Sequence, residues 1–402
     1  KLVTATAVLL LMFGFSAQSN AQQISDTLPE ITLQESVKLS KSNYPLLKQK
    51  QLEITKQEQL KSTAYDFGTT QIFTGGEEVN NGNGIYTTIG IGQSNIDVFG
   101  ISAKKRLQEQ RIQLAQKAFQ LSELDLELEV KKAWANALQS KRNYKLYKEL
   151  DSIYTNFEKA VALNYEVEAI SKLEYSAAKN QALQIQNKFM QSKSEYNIAL
   201  QQLNLWLVSD TFYTVPNDFE ITNEIDVDTF SIEEHPLYGL AQLQVSEAEA
   251  TYKAAKADNL PKLNLQGGLQ NVNGNSGFYT YQAGVSIPFL SGTNKAKVKT
   301  AKIDKEIAET NIQFKKQEVQ SKFLQSKENY QKWKTSWLFY KNEVLPLVKE
   351  QKVGALFAYR EGEVDYTGFT QLIKEAIQSE LQAQEALINY LESTFQLQYF
   401  NK

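Results

Sequence analysis

The sequence contains no cysteine, a single histidine and only two methionines. Without cysteine, the chain has no disulfide, no thiolate metal site, no cysteine nucleophile and no cysteine for N-terminal lipidation. His235 directly precedes Pro236 at a predicted helix start, so we expect it to cap or pack there rather than to act as a catalytic base. The net charge of −3 gives no electrostatic reason to expect a nucleic-acid partner. We therefore predict that the protein is not an enzyme and binds no cofactor or metal ion.

Proline is also scarce, and none occurs between Pro45 and Pro216. Within that window, residues 101–163 and 171–208 each show the pattern of one continuous helix. At about 1.5 Å per residue the first would be a rod of roughly 95 Å, which needs partners along its whole length. The pattern therefore predicts long helical hairpins packed as coiled coils.

The N-terminal segment has the composition of a secretory signal peptide. Lys1 precedes an apolar run over residues 2–15, and Ser19-Asn20-Ala21 fits the small-x-small cleavage pattern. The run is short for a membrane-spanning helix, which is the alternative interpretation. We predict cleavage after Ala21, so residues 1–21 are assigned to the signal peptide.

The remaining chain repeats one plan of helix, β-hairpin, long helix, tip and returning helix. The first repeat spans residues 22–208, with a β-hairpin at 67–98 and a tip at 164–171. The second repeat spans residues 231–402, with a β-hairpin at 262–289 and a tip at 358–366. Residues 209–230 link them. Corresponding positions such as Pro45 and Pro236 lie about 190 residues apart. The Asn- and Gly-rich loops 80–83 and 273–276 suit the hairpin turns. The sequence thus predicts a duplicated domain.

The fourth predicted strand alternates apolar and polar residues. Its apolar face consists of Tyr279, Tyr281, Val285, Ile287 and Phe289, with the three aromatic residues expected near the strand ends. Such a face either packs on helices or faces lipid in a transmembrane barrel, where aromatic residues lie at the water interfaces. Four strands cannot close a barrel alone, so the second interpretation requires several chains.

The order of these elements, together with short motifs, resembles the TolC-like outer membrane efflux proteins over nearly all of the mature chain. The motifs are Ile31-Thr-Leu33 with Asn43-Tyr-Pro45, Asp97-Val-Phe-Gly100, Ile287-Pro-Phe-Leu-Ser-Gly292 and Tyr359-x-x-Gly362-x-x-Asp365. The resemblance implies a mainly α protein with a small β part. Four transmembrane strands per chain would form a twelve-stranded barrel in a homotrimer, and the long helices would form a periplasmic α-barrel.

The resemblance also implies a function and partners. The trimer would be the outer membrane exit duct of a tripartite efflux or type I secretion-like system, with its helices in the periplasm. Its partners would be outer membrane lipid, a periplasmic adaptor (a membrane fusion protein) and an inner-membrane pump such as an RND transporter. The alternative is a periplasmic coiled-coil adaptor or scaffold without a pore. The exported substrate, whether drug, metal ion or protein, does not follow from the sequence.

Both tips are candidate functional sites. Their carboxylates would be repeated around a narrow entrance in a trimer and would favour cations, although exposed turns are often charged for no other reason. These are Glu166, Glu168, Glu361, Glu363 and Asp365. For tip gating or adaptor docking the resemblance points to Tyr165, Ser171, Tyr359, Arg360 and Gly362. Because Glu168 stands where Gly362 stands in the second tip, we expect the two turns to differ. Pro346 is predicted to kink its helix.

Overall fold

The computed structural model describes residues 28–79, 84–217, 219, 230–288 and 292–401. Within these ranges the chain forms eight α-helices and four strands. The helices are α1 (Leu33–Asn43), α2 (Pro45–Gln59), α3 (Ile101–Glu166), α4 (Lys172–Leu207), α5 (Pro236–Ala257), α6 (Gly292–Phe339), α7 (Leu345–Arg360) and α8 (Tyr366–Phe400). The strands are β1 (Thr69–Val79), β2 (Gly84–Ile96), β3 (Lys262–Val272) and β4 (Asn275–Ser286). The signal peptide, most of the 209–230 linker and the 80–83 turn lie outside the described residues.

The predicted long helical hairpins are confirmed. Helix α3 has 66 residues, so it is about 100 Å long, and α4 returns along it from the first tip. In the second repeat α7 and α8 form the corresponding pair. The buried side chains of α3 recur at helical spacing, as in Leu146, Leu150, Tyr154, Phe157 and Val161. One stripe of α3 therefore supplies much of the core in the tip half of the molecule.

The long helix of the second repeat is interrupted, as Pro346 predicts, but the break precedes the proline. Residues Tyr340–Val344 form a π-helical turn, and the Leu345 N–H donates to the Tyr340 carbonyl five residues earlier. Pro346 then lies in the first turn of α7, a position where helices tolerate a residue without an N–H. The wider turn thus accommodates the proline within a nearly continuous helix.

The four strands form one antiparallel sheet in the order β1-β2-β3-β4, so the two hairpins pair with each other through β2 and β3. The strand bounds differ by a few residues from the predicted 67–98 and 262–289. The four-residue loop predicted at 273–276 is wrong, because β4 already begins at Asn275. Only Asn273 and Gly274 form the turn, with φ of 51° and 85°. Two positive φ values give the tight hairpin turn that asparagine and glycine favour.

A layer of helices continues the sheet. Helix α2 leads into β1, β2 into α3, α5 into β3 and β4 towards α6. Helix α2 packs on α3, α3 on α5 and α5 on α6, which is the order of the strands. Helix α2 ends at Gln59, and a 3-10 turn at Leu60–Ala64 follows it. The helix layer therefore continues the order of the strands in the sheet.

Each returning helix ends where a short helix of its own repeat begins. The C-terminal end of α4 meets the start of α2, where Tyr44 and Trp206 pack with ring centroids 5.3 Å apart. The end of α8 meets the start of α5, where His235 stacks on Phe400 at 5.2 Å. His235 caps α5 by accepting a hydrogen bond from the Leu237 N–H at 3.2 Å, which confirms the capping role expected for the only histidine.

Candidate functional site

The two tips share one backbone conformation, although their sequences differ. In the first tip the Ala169 N–H donates to the Asn164 carbonyl at 2.9 Å, and Glu168 adopts a left-handed φ of 57°. In the second tip the Glu363 N–H donates to the Ala358 carbonyl at 2.8 Å, and Gly362 has φ of 74°. Both turns therefore end their helices with the same left-handed cap. The expectation that Glu168 changes the turn is wrong.

The helix that leaves each tip is capped by a polar side chain. Ser171 and Glu174 form a capping box at the start of α4, in which the Ser171 N–H donates to the Glu174 carboxylate at 2.8 Å. Asp365 caps α8 by accepting from the Gly368 N–H at 2.8 Å. One oxygen of Asp365 is thus committed to the helix end. Glu174 was not among the predicted site residues, although serine with glutamate three positions later is a known capping signature.

Aromatic side chains hold each tip and join the two hairpins. Tyr165 stacks on Tyr175 at 5.1 Å, and the corresponding residues Tyr359 and Phe369 pack at 5.2 Å. Phe157 of α3 packs on Tyr359 at 4.9 Å and on Phe369 at 4.7 Å. Burial, and then the nearby Glu174 carboxylate, raise the pKa of Tyr359 above its usual value. Tyr359 thus lies between the hairpins, which its sequence position alone did not establish.

The predicted charged residues of the tips are exposed. Glu166 and Glu168 lie at the surface of the first turn, and Glu361, Glu363, Asp365 and Arg360 lie at the surface of the second. Among the described residues Arg360 has no carboxylate within ion-pair distance. The structure therefore keeps these groups in solvent, available to a neighbouring chain or to ions.

An ion pair that the sequence analysis missed connects both hairpins above the tips. The Lys352 ammonium on α7 lies 3.3 Å from Glu149 on α3 and 3.1 Å from Glu380 on α8. Burial opposes the charged form of Lys352, but the two carboxylates outweigh it and raise its pKa. The three residues come from distant parts of the chain, so no local pattern could have identified them.

One face of the sheet is apolar and uncovered. The ladder places Ile72, Ile91, Gly267 and Tyr281 side by side, and both Ile72 and Tyr281 are 82% exposed. Tyr279, Val285 and Ile287 are also exposed, as predicted for this face, and Phe289 lies outside the described residues. Tyr281 is in the middle of β4, so its predicted position near the strand end is wrong. The opposite face carries amides and hydroxyls, including a hydrogen bond between Gln266 and Gln282.

Apolar residues are also exposed along the two edges of the helical layer. In the tip half the helices pack in the order α4, α3, α8 and α6–α7, so α4 and α6–α7 are at the edges. The exposed stripe of α4 consists of Leu183, Met190, Ile198 and Leu205, and the exposed apolar residues of α6–α7 at a similar distance from the tips include Leu338, Phe339, Leu347 and Val353. Strands β1 and β4 have free edges on the same two sides. Within the described ranges, each side of the chain thus has no partner along much of its length.

Among the described residues, no helix combines the length and apolarity needed to cross a membrane. No protein-family model matches the sequence, and no curated protein is similar to it. The structure, however, superposes on solved outer membrane channels along nearly its whole length. With the CmeC outer membrane channel of Campylobacter jejuni it shares a TM-score of 0.75 and 16% identity, covering 92% of this chain and 85% of CmeC. The chain has the TolC-like fold.

Other structures with the TolC-like fold match equally broadly. The MtrE outer membrane channel of Neisseria gonorrhoeae, described in its open state, gives a TM-score of 0.72 at 15% identity, covering 92% of this chain and 88% of MtrE. A membrane protein from Pseudomonas aeruginosa gives 0.79 at 15% identity, covering 93% and 91%. The predicted fold class, mainly α with a small β part, is confirmed. At these identities the likeness concerns the fold, so the roles of individual tip residues stay predictions.

Proposed function

We propose that this chain is the outer membrane exit duct of a tripartite export system and passes substrate from the periplasm to the exterior. The observation that carries the proposal is the uncovered apolar face of the sheet. Apolar strands with alternating polar positions suit a sheet that faces lipid on one side and water on the other. Solved outer membrane channels with the same fold support this assignment.

Three copies would complete the duct. An open sheet edge is not tolerated in lipid, so β4 of one copy must pair with β1 of the next. The two edges differ in sequence, which makes the contact head-to-tail, and such a contact gives a ring when the rotation between copies closes. The exposed stripe of α4 would pack on the exposed apolar residues of α6–α7 in the neighbouring copy, so that the helices continue the ring into the periplasm. The result is the twelve-stranded barrel of a homotrimer.

The tips would form the periplasmic entrance. In a ring of three copies the carboxylates of Glu361, Glu363, Asp365, Glu166 and Glu168 would surround the opening and favour cations. A periplasmic adaptor would dock on the exposed tips, near Arg360 and Ser171, and an inner-membrane pump such as an RND transporter would supply energy. The aromatic contacts of Tyr165 and Tyr359 would hold the tips in place until the adaptor binds.

Cysteine labelling tests the membrane assignment. Tyr279→Cys lies on the apolar face and Gln282→Cys on the polar face of the same strand. In reconstituted vesicles we expect a lipid-soluble reagent to label the first and a water-soluble reagent the second. Equal labelling of both by the water-soluble reagent would instead support the alternative, a periplasmic adaptor or scaffold without a pore.

Oligomeric state provides an independent test. The mature chain in detergent should have the mass of three copies, and charged substitutions in the α4 stripe, such as Met190→Glu with Ile198→Glu, should reduce it to one. A matched double substitution of exposed polar residues on the same helix, Lys188→Glu with Lys193→Glu, should leave the mass unchanged. A mature chain that stays monomeric and stable in buffer without detergent would contradict the proposal.

A further inference from the structure

The four helix ends that border the sheet form a basic belt, defined here as residues 55–66, 97–106, 253–262 and 292–302. These ranges contain twelve lysines or arginines and four acidic residues, although the net charge of the chain is −3. Helical rise places them within roughly 15–20 Å of the strands. The tip segments 164–174 and 359–365 contain six acidic and two basic residues. The chain is therefore positive beside the sheet and negative at the tips.

Some lysines of the basic belt are neutralised within the chain. Lys104 is surrounded by Asp97 at 2.7 Å, Asp258 at 3.5 Å and Asp66 at 3.7 Å, which join both repeats at the root of the sheet. Lys253 pairs with Glu249 in the same way, at 2.7 Å. These ion pairs stabilise the fold, and the neighbouring carboxylates neutralise most of the lysine charge.

The first turns of α6 are different. Lys295, Lys297 and Lys299 are exposed, and within the described residues the ion pairs of α6 begin only at Lys302, which lies 3.6 Å from Glu306. No acidic residue occurs in the first turn of α6 or of α3, where Lys104 is followed by Lys105 and Arg106. A cation in the first turn of a helix is repelled by the helix dipole, so Lys295 opposes local stability, and Lys299 four residues later adds like-charge repulsion. An anion outside the chain would remove that repulsion.

We propose that the basic belt binds the anionic headgroups of membrane lipids on the helical side of the sheet. The inference rests on the proposed function, in which the apolar face of the sheet is embedded in lipid. The exposed residues Val285 and Ile287 end that face, and Lys295, the first lysine of α6, follows eight residues after Ile287. Lipid phosphates lie directly outside the hydrocarbon layer, so belt and headgroups would meet at the same depth. The positive charge of the basic belt and its position beside the apolar face both indicate a lipid surface as the partner.

Lipid retention by the purified full chain tests this inference. Detergent-solubilised protein is incubated with equimolar phosphatidylglycerol and phosphatidylcholine, separated by size exclusion, and its retained lipids are quantified by mass spectrometry. We expect more than tenfold enrichment of phosphatidylglycerol, because each basic residue near an anionic surface contributes about fivefold in affinity. Enrichment should fall as salt is raised. Equal retention of both lipids by the wild-type chain would overturn the inference.

A triple variant locates the binding surface. Lys295→Gln, Lys297→Gln and Lys299→Gln together should lower the enrichment at least tenfold. The matched control, Lys332→Gln, Lys341→Gln and Lys349→Gln, removes three exposed lysines far from the sheet and should retain the wild-type value. If the belt variant loses its trimeric mass while lipid enrichment is unchanged, the lysines belong to the contact between copies, and the inference is overturned.

Two further arms separate the possible failures. Millimolar inorganic phosphate should leave phosphatidylglycerol bound, whereas its displacement would indicate a site for free anions and overturn the lipid assignment. Insertion into vesicles of pure phosphatidylcholine, followed by protease protection of the sheet, tests the proposed function alone. Insertion without any lipid preference would contradict lipid binding by the basic belt but would agree with the proposed exit-duct function.

Discussion

Glu168 and Gly362 occupy the same position in the two tips, and both have a left-handed backbone, with φ of 57° and 74°. Glycine adopts this conformation without steric cost, whereas a residue with a Cβ is disfavoured by about 1–2 kcal/mol. The first tip therefore contains local strain that the second lacks. The surrounding contacts, including the stacked pair Tyr165–Tyr175 and the Ser171 capping box, offset it.

Replacing the strained residue should stabilise the first tip. We expect Glu168→Gly to raise the free energy of unfolding by about 1 kcal/mol, because the steric penalty is larger than the entropy that glycine adds to the unfolded chain. Thermal denaturation in detergent measures the change. The reciprocal substitution Gly362→Ala should lower the stability by a similar amount. If Glu168→Gly instead lowers the free energy of unfolding, the Glu168 carboxylate makes a contact that stabilises the tip by more than the backbone strain destabilises it.

Charge and helix capping at Asp365 can be separated. Asp365→Asn removes the charge and keeps an oxygen that can accept from the Gly368 N–H, whereas Asp365→Ala removes both and should cost about 1 kcal/mol of stability. If Asp365 contributes to selectivity at the entrance, both variants should lower cation preference equally in planar-bilayer reversal potentials. Unchanged selectivity in Asp365→Asn would reject that role and leave only the cap.

The ion pair at Lys352 should contribute measurably to the packing of the hairpins. Lys352 is 17% exposed and faces Glu149 and Glu380, so Lys352→Met should lower the free energy of unfolding by about 1–2 kcal/mol, between the values for exposed and buried pairs. Methionine keeps most of the packing of the side-chain stem. High salt should reduce the difference. Lys349→Met, an exposed neighbour on α7, is the control and should have no effect.

The pH dependence of stability should reflect His235. Burial and, less strongly, the nearby Lys117 lower its pKa to about 4. The unfolded chain therefore binds a proton more readily than the folded chain, near an ordinary pKa of about 6.5. Above pH ~6.5 His235 is neutral in both states and does not change the free energy of unfolding. This free energy should fall by up to about 3 kcal/mol as pH decreases towards 4. Urea unfolding of wild type and His235→Asn measures this, since asparagine caps α5 without titrating. Parallel pH profiles would contradict it.

Local patterns were sufficient for the elements of this fold. The absence of proline between Pro45 and Pro216 and the regular apolar spacing of α3 predicted a long helix, because helix formation depends on neighbours three and four residues away. The Asn273-Gly274 pair likewise marked a hairpin, although its length was overestimated. Glu168 was misjudged because a left-handed backbone costs a residue with a Cβ only about 1–2 kcal/mol, which the contacts around the first tip offset.

Periodicity along the chain was enough to predict the alternating strands and the long helices. It could not predict that Lys352 pairs with Glu149 and Glu380, that Phe157 packs on Tyr359, or that no described element covers the apolar face of the sheet. These features bring together residues from different repeats. Their contacts follow from the order in which helices and strands pack, and no periodicity within one segment encodes that order.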